Sequence, residues 1–208
     1  MRVNSASERL NLHMNYLAHA WLSFGLPEIL VGNMISDYVK GKKKFDYPEE
    51  VQKGIALHRT IDRYTDTHAA TAIAKQYFKA EYGLYSAAFV DVVFDHFLAN
   101  DPNEFTDESL MKFSQETYRL LEPYAAIFPE KFARMYPYMR TQNWLYHYRF
   151  EQGIASSLGG LVRRAAYLND SAPAFNIFKE NYRQLDDCYK AFFPQLKKMA
   201  LEELNTLK

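Results

Sequence analysis

The sequence predicts an all-α protein. Strand-like alternation of apolar and polar residues is scarce, glycine and proline number only eight each in 208 residues, and apolar side chains recur mostly every three to four positions. Residues 1–13, MRVNSASERLNLH, are mostly polar and read as a loose leader, with order expected from MNYLAHAWLSF onward. Helices are then expected at about 28–39, 48–65, 68–82 and 85–99, and a second group at about 107–121, 129–140, 142–167 and 173–206. Pro48 and Pro129 suit first helical turns, Thr67 and Thr106 suit N-caps, and Gly41 and Gly83 suit helix stops. No internal repeat is visible, and at 48% hydrophobic the chain can bury one sizeable core. Residues 14–208 are therefore expected to form a single helical domain.

Composition narrows the setting. Lys+Arg and Asp+Glu balance at 25 each, so overall charge gives no argument for nucleic acid or an anionic membrane, and any charged partner must meet a local patch. The single cysteine, Cys188, cannot form an internal disulfide, which agrees with a reducing compartment. No window approaches the roughly 18 apolar residues of a membrane span, and the start lacks a signal-peptide pattern. A cytoplasmic protein is expected.

Two segments break the rule that apolar helices carry apolar side chains. SAAFVDVVFDHFLA, residues 86–99, reads as one buried helix, yet it contains Asp91, Asp95 and His96. A buried carboxylate neutralises, pairs or binds a metal. In VQKGIALHRTIDRYTD, Val51, Ile55, His58 and Asp62 fall within a narrow arc at about 100° per residue, so His58 and Asp62 continue an apolar stripe. Being four apart, both can point at one ion, with Asp66 one turn further and Arg59 and Arg63 on the adjoining flank. A His and an Asp hydrogen-bonded within the core would give the same pattern. His19 in NYLAHAWL and Asp37 in GNMISDYV are further polar residues in apolar surroundings. A set of imidazoles and carboxylates without thiolate suits Mn, Fe, Zn or Mg.

The blocks MNYLAHAWLS, LVGNMISDYVKG, GIALHRTIDRYTD, VVFDHFLA and NWLYHYR resemble the acyl carrier protein phosphodiesterase family, a divergent branch of the HD-domain metal-dependent phosphohydrolases. The resemblance runs from Met14 nearly to the C-terminus. It implies an HD-domain-like helical bundle that removes the 4'-phosphopantetheine arm from holo acyl carrier protein, typically with manganese. The adjacent pair here reads Asp95-His96, the reverse of the wider HD order, and His58 is followed by Arg59.

The residues suit that chemistry. A bound divalent ion supplies a nucleophile near neutral pH and offsets phosphodiester charge. His19, Asp37, His58, Asp62, Asp95 and His96 are the candidate metal ligands; Arg59 or Arg63 could hold a phosphoryl oxygen, and Asp66 or Asp91 could accept a proton. KGKKKF places Lys40, Lys42, Lys43 and Lys44 just beyond Asp37, where a basic loop would steer an acidic protein such as acyl carrier protein, although a charge run is often only a solvated loop. Trp144, Tyr146 and Tyr148 could line a channel for the pantetheine chain, with Arg149, Arg163 and Arg164 reaching phosphate or carboxylates. Two other readings stay open: hydrolysis of a nucleotide or other small phosphate ester, and a non-catalytic helical binding module.

Overall fold

A computed structural model describes residues 16–165 and 167–207, all helices, turns and loops with no strand among them; the expected leader lies outside the described residues. The helices are α1 (Tyr16–Trp21), α2 (Pro27–Ile35), α3 (Glu49–Thr67), α4 (Ala69–Tyr82), α5 (Ser86–Asn100), α6 (Asp107–Leu121), α7 (Glu130–Thr141), α8 (Trp144–His147), α9 (Glu151–Arg164), α10 (Ala172–Glu180) and α11 (Tyr182–Leu207). Short 3₁₀ turns cover Ser36–Tyr38, Gly41–Asp46, Gly83–Tyr85 and Glu122–Ile127.

The apolar run of α5 makes it the central helix: 13 of its 15 residues are buried, and it packs against α1, α4, α9 and α11. Around it, α2 and α3 form the tightest pair, because each carries a glycine at the crossing. A Cβ on Gly32 would stand 2.1 Å from Val51 O, and one on Gly54 would stand 2.3 Å from Ile29 O. The two backbones therefore touch directly, and side chains on either helix sit close to those on the other.

Several sequence expectations require correction. Thr106 does cap α6, its hydroxyl accepting from Ser109 N in a capping box. Thr67 does not cap α4: it ends α3 with its hydroxyl donating to Arg63 O, and His68 takes the cap position, its Nδ1 accepting from Ala70 N. Gly83 ends α4 with φ +50°, but Gly41, φ +57°, opens a 3₁₀ turn. The expected helix over 142–167 is two, α8 and α9. His96 donates to Tyr148 O and Asn100 donates to Arg149 O, so tertiary donors take the carbonyls a continuous helix would use, and Phe150 is extended. Gly153 lets α9 restart hard against α8, since a Cβ there would lie 1.9 Å from His147 O. The expected helix over 173–206 likewise divides at Asn181, whose backbone leaves the helical region.

Candidate metal centre

Helices α1, α2 and α3 bring four side chains together. His19 and His58 are both nearly fully buried, and their rings stack with centroids 3.9 Å apart and planes 17° apart. Each ring is oriented by Asn33 of α2. His58 Nδ1 lies 2.7 Å from Asn33 O, which can only accept, so that nitrogen carries the proton. His19 Nδ1 lies 2.7 Å from Asn33 Oδ1, while the Asn33 amide donates to His19 O and Ser23 Oγ, which fixes the flip of the carboxamide. Both Nε2 atoms turn toward Asp62, His58 Nε2 at 3.1 Å and His19 Nε2 at 3.3 Å from its carboxylate oxygens, and His58 Nε2 offers a lone pair to a cation once its own proton is displaced. Asp37 Oδ1 stands 3.2 Å from His58 Nε2.

One ligand atom from each of His19, His58 and Asp62 lies within 4.8 Å of the others. Two donors bound about 2.1 Å from one ion stand roughly 3.0–3.4 Å apart, close to the spacing seen here. His19 Nε2 is buried and makes no well-formed hydrogen bond. The electrostatics point the same way. Burial lowers the His58 pKa, but Asp62 and Asp37 outweigh it and raise the imidazole to about 10. Burial and the His58 charge keep His19 below its ordinary value. Burial works against the Asp62 charge, yet the two imidazoles hold its carboxyl well below the usual range. The pocket thus holds positive charge between carboxylates, and a divalent cation bound there would take the place of the His58 proton, leaving imidazole and carboxylate donors that suit it. Their Nδ1–H bonds to Asn33 are the outer contacts that orient metal-binding histidines.

The other expected site residues lie on different partners. Asp95, fully buried, accepts 2.9 Å hydrogen bonds from Leu17 N and Ala18 N, the first free amides of the helix that carries His19. Burial raises its carboxyl pKa well above the ordinary range, against the pull of those two donors. His96 uses both ring nitrogens, at Tyr148 O (2.8 Å) and Tyr182 Oη (3.0 Å). Asp91 is buried in α5 near Asp95. Arg59 donates to Val39 O and so ties down the turn after Asp37, Arg63 is exposed, and Asp66 pairs with Lys75 at 2.9 Å on the surface. Asn33 was missed by sequence reasoning, although a polar residue inside EILVGNMI carries the same signal that singled out His19.

Beyond the centre, Lys40, Lys42 and Lys43 are exposed and Lys44 is half-buried, its ammonium 5.0 Å from the centroid of the exposed Phe45 ring. Trp144, Arg163 and Arg164 line a cavity between α8 and α9. Tyr146 instead hydrogen-bonds Asp107, which also pairs with Arg149, and Tyr148 is buried in the core. No helix among the described residues is long and apolar enough to cross a membrane.

Residues 14–196 match the family model described as acyl carrier protein phosphodiesterase. Proteins named acyl carrier protein phosphodiesterase are similar along nearly their whole length. That of Yersinia pestis is 32% identical over 90% of this chain and 97% of its own. The Photorhabdus laumondii protein is 31% identical over 90% of this chain and 95% of its own, and the Serratia proteamaculans protein is 31% identical over 91% and 99%. No solved structure matches.

Proposed function

This chain belongs to the acyl carrier protein phosphodiesterase family, and from that premise we propose that it hydrolyses the phosphodiester joining 4'-phosphopantetheine to a serine of acyl carrier protein. The observation that carries the reading is the convergence of His19, His58 and Asp62, with their imidazole tautomers set by Asn33. We assign these three as ligands of a divalent cation, Mn²⁺ first and Mg²⁺, Fe²⁺ or Zn²⁺ as alternatives, with Asp37 as a further ligand or the proton acceptor. When bound, such a cation neutralises phosphoryl charge and lowers the pKa of water.

The chain's own residues supply the rest. The two buried imidazoles form the floor, and the Asp62 and Asp37 side chains, 20% and 15% exposed, are its open side, where substrate would arrive. Asp37 is suited to take the proton from the attacking water, because His19, His58 and Asp62 can hold the ion without it. Water oxygen bonds to phosphorus, the bond from phosphorus to the serine oxygen breaks, and that oxygen leaves with the electron pair and takes up a proton. The products are a phosphate monoester and a free serine hydroxyl. Asp95 acts at one remove, by binding the α1 amides that set the height of His19.

The lysines at 40, 42, 43 and 44 give an acidic carrier protein a landing surface directly after Asp37 in the chain. Incubating holo acyl carrier protein with the protein and Mn²⁺, then weighing the products, tests the reading. The expected masses are apo carrier protein and free 4'-phosphopantetheine; intact holo protein, or cleavage only of free nucleotides, overturns it. Metal analysis of His58→Ala is expected to show loss of the ion that the parent retains.

A further inference from the structure

The cavity between α8 and α9 measures about 630 Å³, within the ~300–1,000 Å³ span of small-molecule sites. Its wall is unlike a leftover packing gap. Trp144 and Phe150 give it aromatic faces, Gln152 and Ser156 give it amide and hydroxyl groups, and Arg163 and Arg164 give it charge. The arginines follow Gly159 and Gly160 by four residues, so each stands over a glycine on the same helix face. A Cβ at Gly159 would lie 3.3 Å from Arg163 Nη1, and one at Gly160 would lie 3.5 Å from both Arg164 Nη atoms. Both guanidinium groups thus lie back along α9 over the glycine pair, at ordinary contact distance from a methyl at Gly160 and slightly closer at Gly159. At the other wall, His147 Nδ1 donates to Gln142 O, leaving Nε2 as an acceptor, and the Trp144 indole donates to Gln142 Oε1.

The charge of Arg164 relates this wall to the candidate metal centre. Arg164 acts electrostatically on the phenols of Tyr16 and Tyr38, whose hydroxyls are 2.9 Å apart. Tyr38 follows Asp37, which reaches His58. A ligand for such a cavity has an anionic end for the guanidinium groups and a neutral, flexible body with amides to pair with Gln and Ser beside aromatic rings.

We infer that the α8–α9 cavity is the site for the 4'-phosphopantetheine arm itself, its phosphate toward Arg164 and its amide chain along Trp144, Phe150, Gln152 and Ser156. This rests on the proposed hydrolysis of holo acyl carrier protein. It makes the arm a recognised element of the substrate, in addition to the carrier protein's acidic surface.

Calorimetric titration of the Mn²⁺-loaded full-length protein with free 4'-phosphopantetheine, and separately with inorganic phosphate, tests the assignment. The parent is expected to bind 4'-phosphopantetheine at least tenfold more tightly than phosphate. Ser156→Phe, which fills the cavity from an exposed position, is expected to erase that advantage and to raise KM for holo carrier protein more than it lowers kcat. If Ser156→Phe melts early, Gln152→Trp blocks the same exposed wall. A parent that binds the two anions equally, or folded blocking variants that keep parental affinity, overturns the inference. The reaction is read separately, by release of apo carrier protein from the parent. Selective 4'-phosphopantetheine binding without that release keeps the cavity and overturns the hydrolysis; release by a protein indifferent to 4'-phosphopantetheine does the reverse.

Discussion

A buried polar side chain in an apolar helix announces a partner without saying which, and Asp62, Asp95 and His96 show three different answers. Asp62 faces two imidazoles, Asp95 faces two backbone amides, and His96 joins a carbonyl to a phenol. Replacement separates these roles. Asp95→Ala strands two buried N–H groups at roughly 1–3 kcal/mol each, so it is expected to lower Tm sharply and weaken metal retention through α1. Asp95→Asn keeps one of the two acceptors and sets its amide NH2 against the other backbone N–H, so it is expected to lower Tm less than Asp95→Ala, and a Tm equal to that of Asp95→Ala would mean that these hydrogen bonds do not hold α1. Burial lowers the His96 pKa, against the pull of the Tyr148 carbonyl, so the folded state resists a proton that the unfolded chain accepts near its ordinary value of about 6.5. His96 therefore removes stability as pH falls below about 6.5. Thermal melts from pH 7.5 to 5 are expected to fall more steeply for the parent than for His96→Gln, and parallel curves would rule the effect out.

Helices with strong periodicity were legible to within a residue or two, as at α4, α5 and α6, because their own apolar stripes specify them. The break between α8 and α9 was not, since nothing local in NWLYHYRFEQG reveals that His96 and Asn100, some fifty residues earlier, take the carbonyls of Tyr148 and Arg149. The α2–α3 contact was hidden for a related reason: Gly32 and Gly54 look merely helix-weakening until they are seen facing each other's backbone. That contact sets the reach of Asn33 and Asp37 to His58. Gly54→Ala removes a helix penalty of about 1 kcal/mol, yet its methyl would sit 2.3 Å from Ile29 O, a clash with backbone that cannot rotate away. Overpacking of this kind costs typically ~1–3 kcal/mol and occasionally more, so both Gly54→Ala and Gly32→Ala are expected to be less stable than the parent and to bind metal more weakly. Unchanged melting and metal content would mean that the helices part without consequence for the site.

Across the whole molecule, charge is balanced at 25 against 25, so a long-range field can come only from local clustering, and the turn at Gly41–Asp46 concentrates it a few residues after Asp37. None of that turn's residues is buried. Replacing Lys42, Lys43 and Lys44 with Ala should therefore change stability by no more than about 0.5 kcal/mol, as for surface substitutions generally. The effect belongs in encounter with an acidic partner. Steering by such a patch acts over about a Debye length, ~8 Å at 0.15 M salt, and accelerates association by ~10-fold or more. At low salt the triple variant is expected to show a KM for holo acyl carrier protein raised by roughly tenfold, with kcat changed far less, because orientation at the candidate cation site rests on α1, α2 and α3. Adding salt should raise the parent's KM toward that of the variant and move the variant's much less. If KM and its salt dependence are the same in both proteins, the lysines only solvate their turn, and Arg149, Arg163 and Arg164 on the α8–α9 side become the surface where the carrier protein must land.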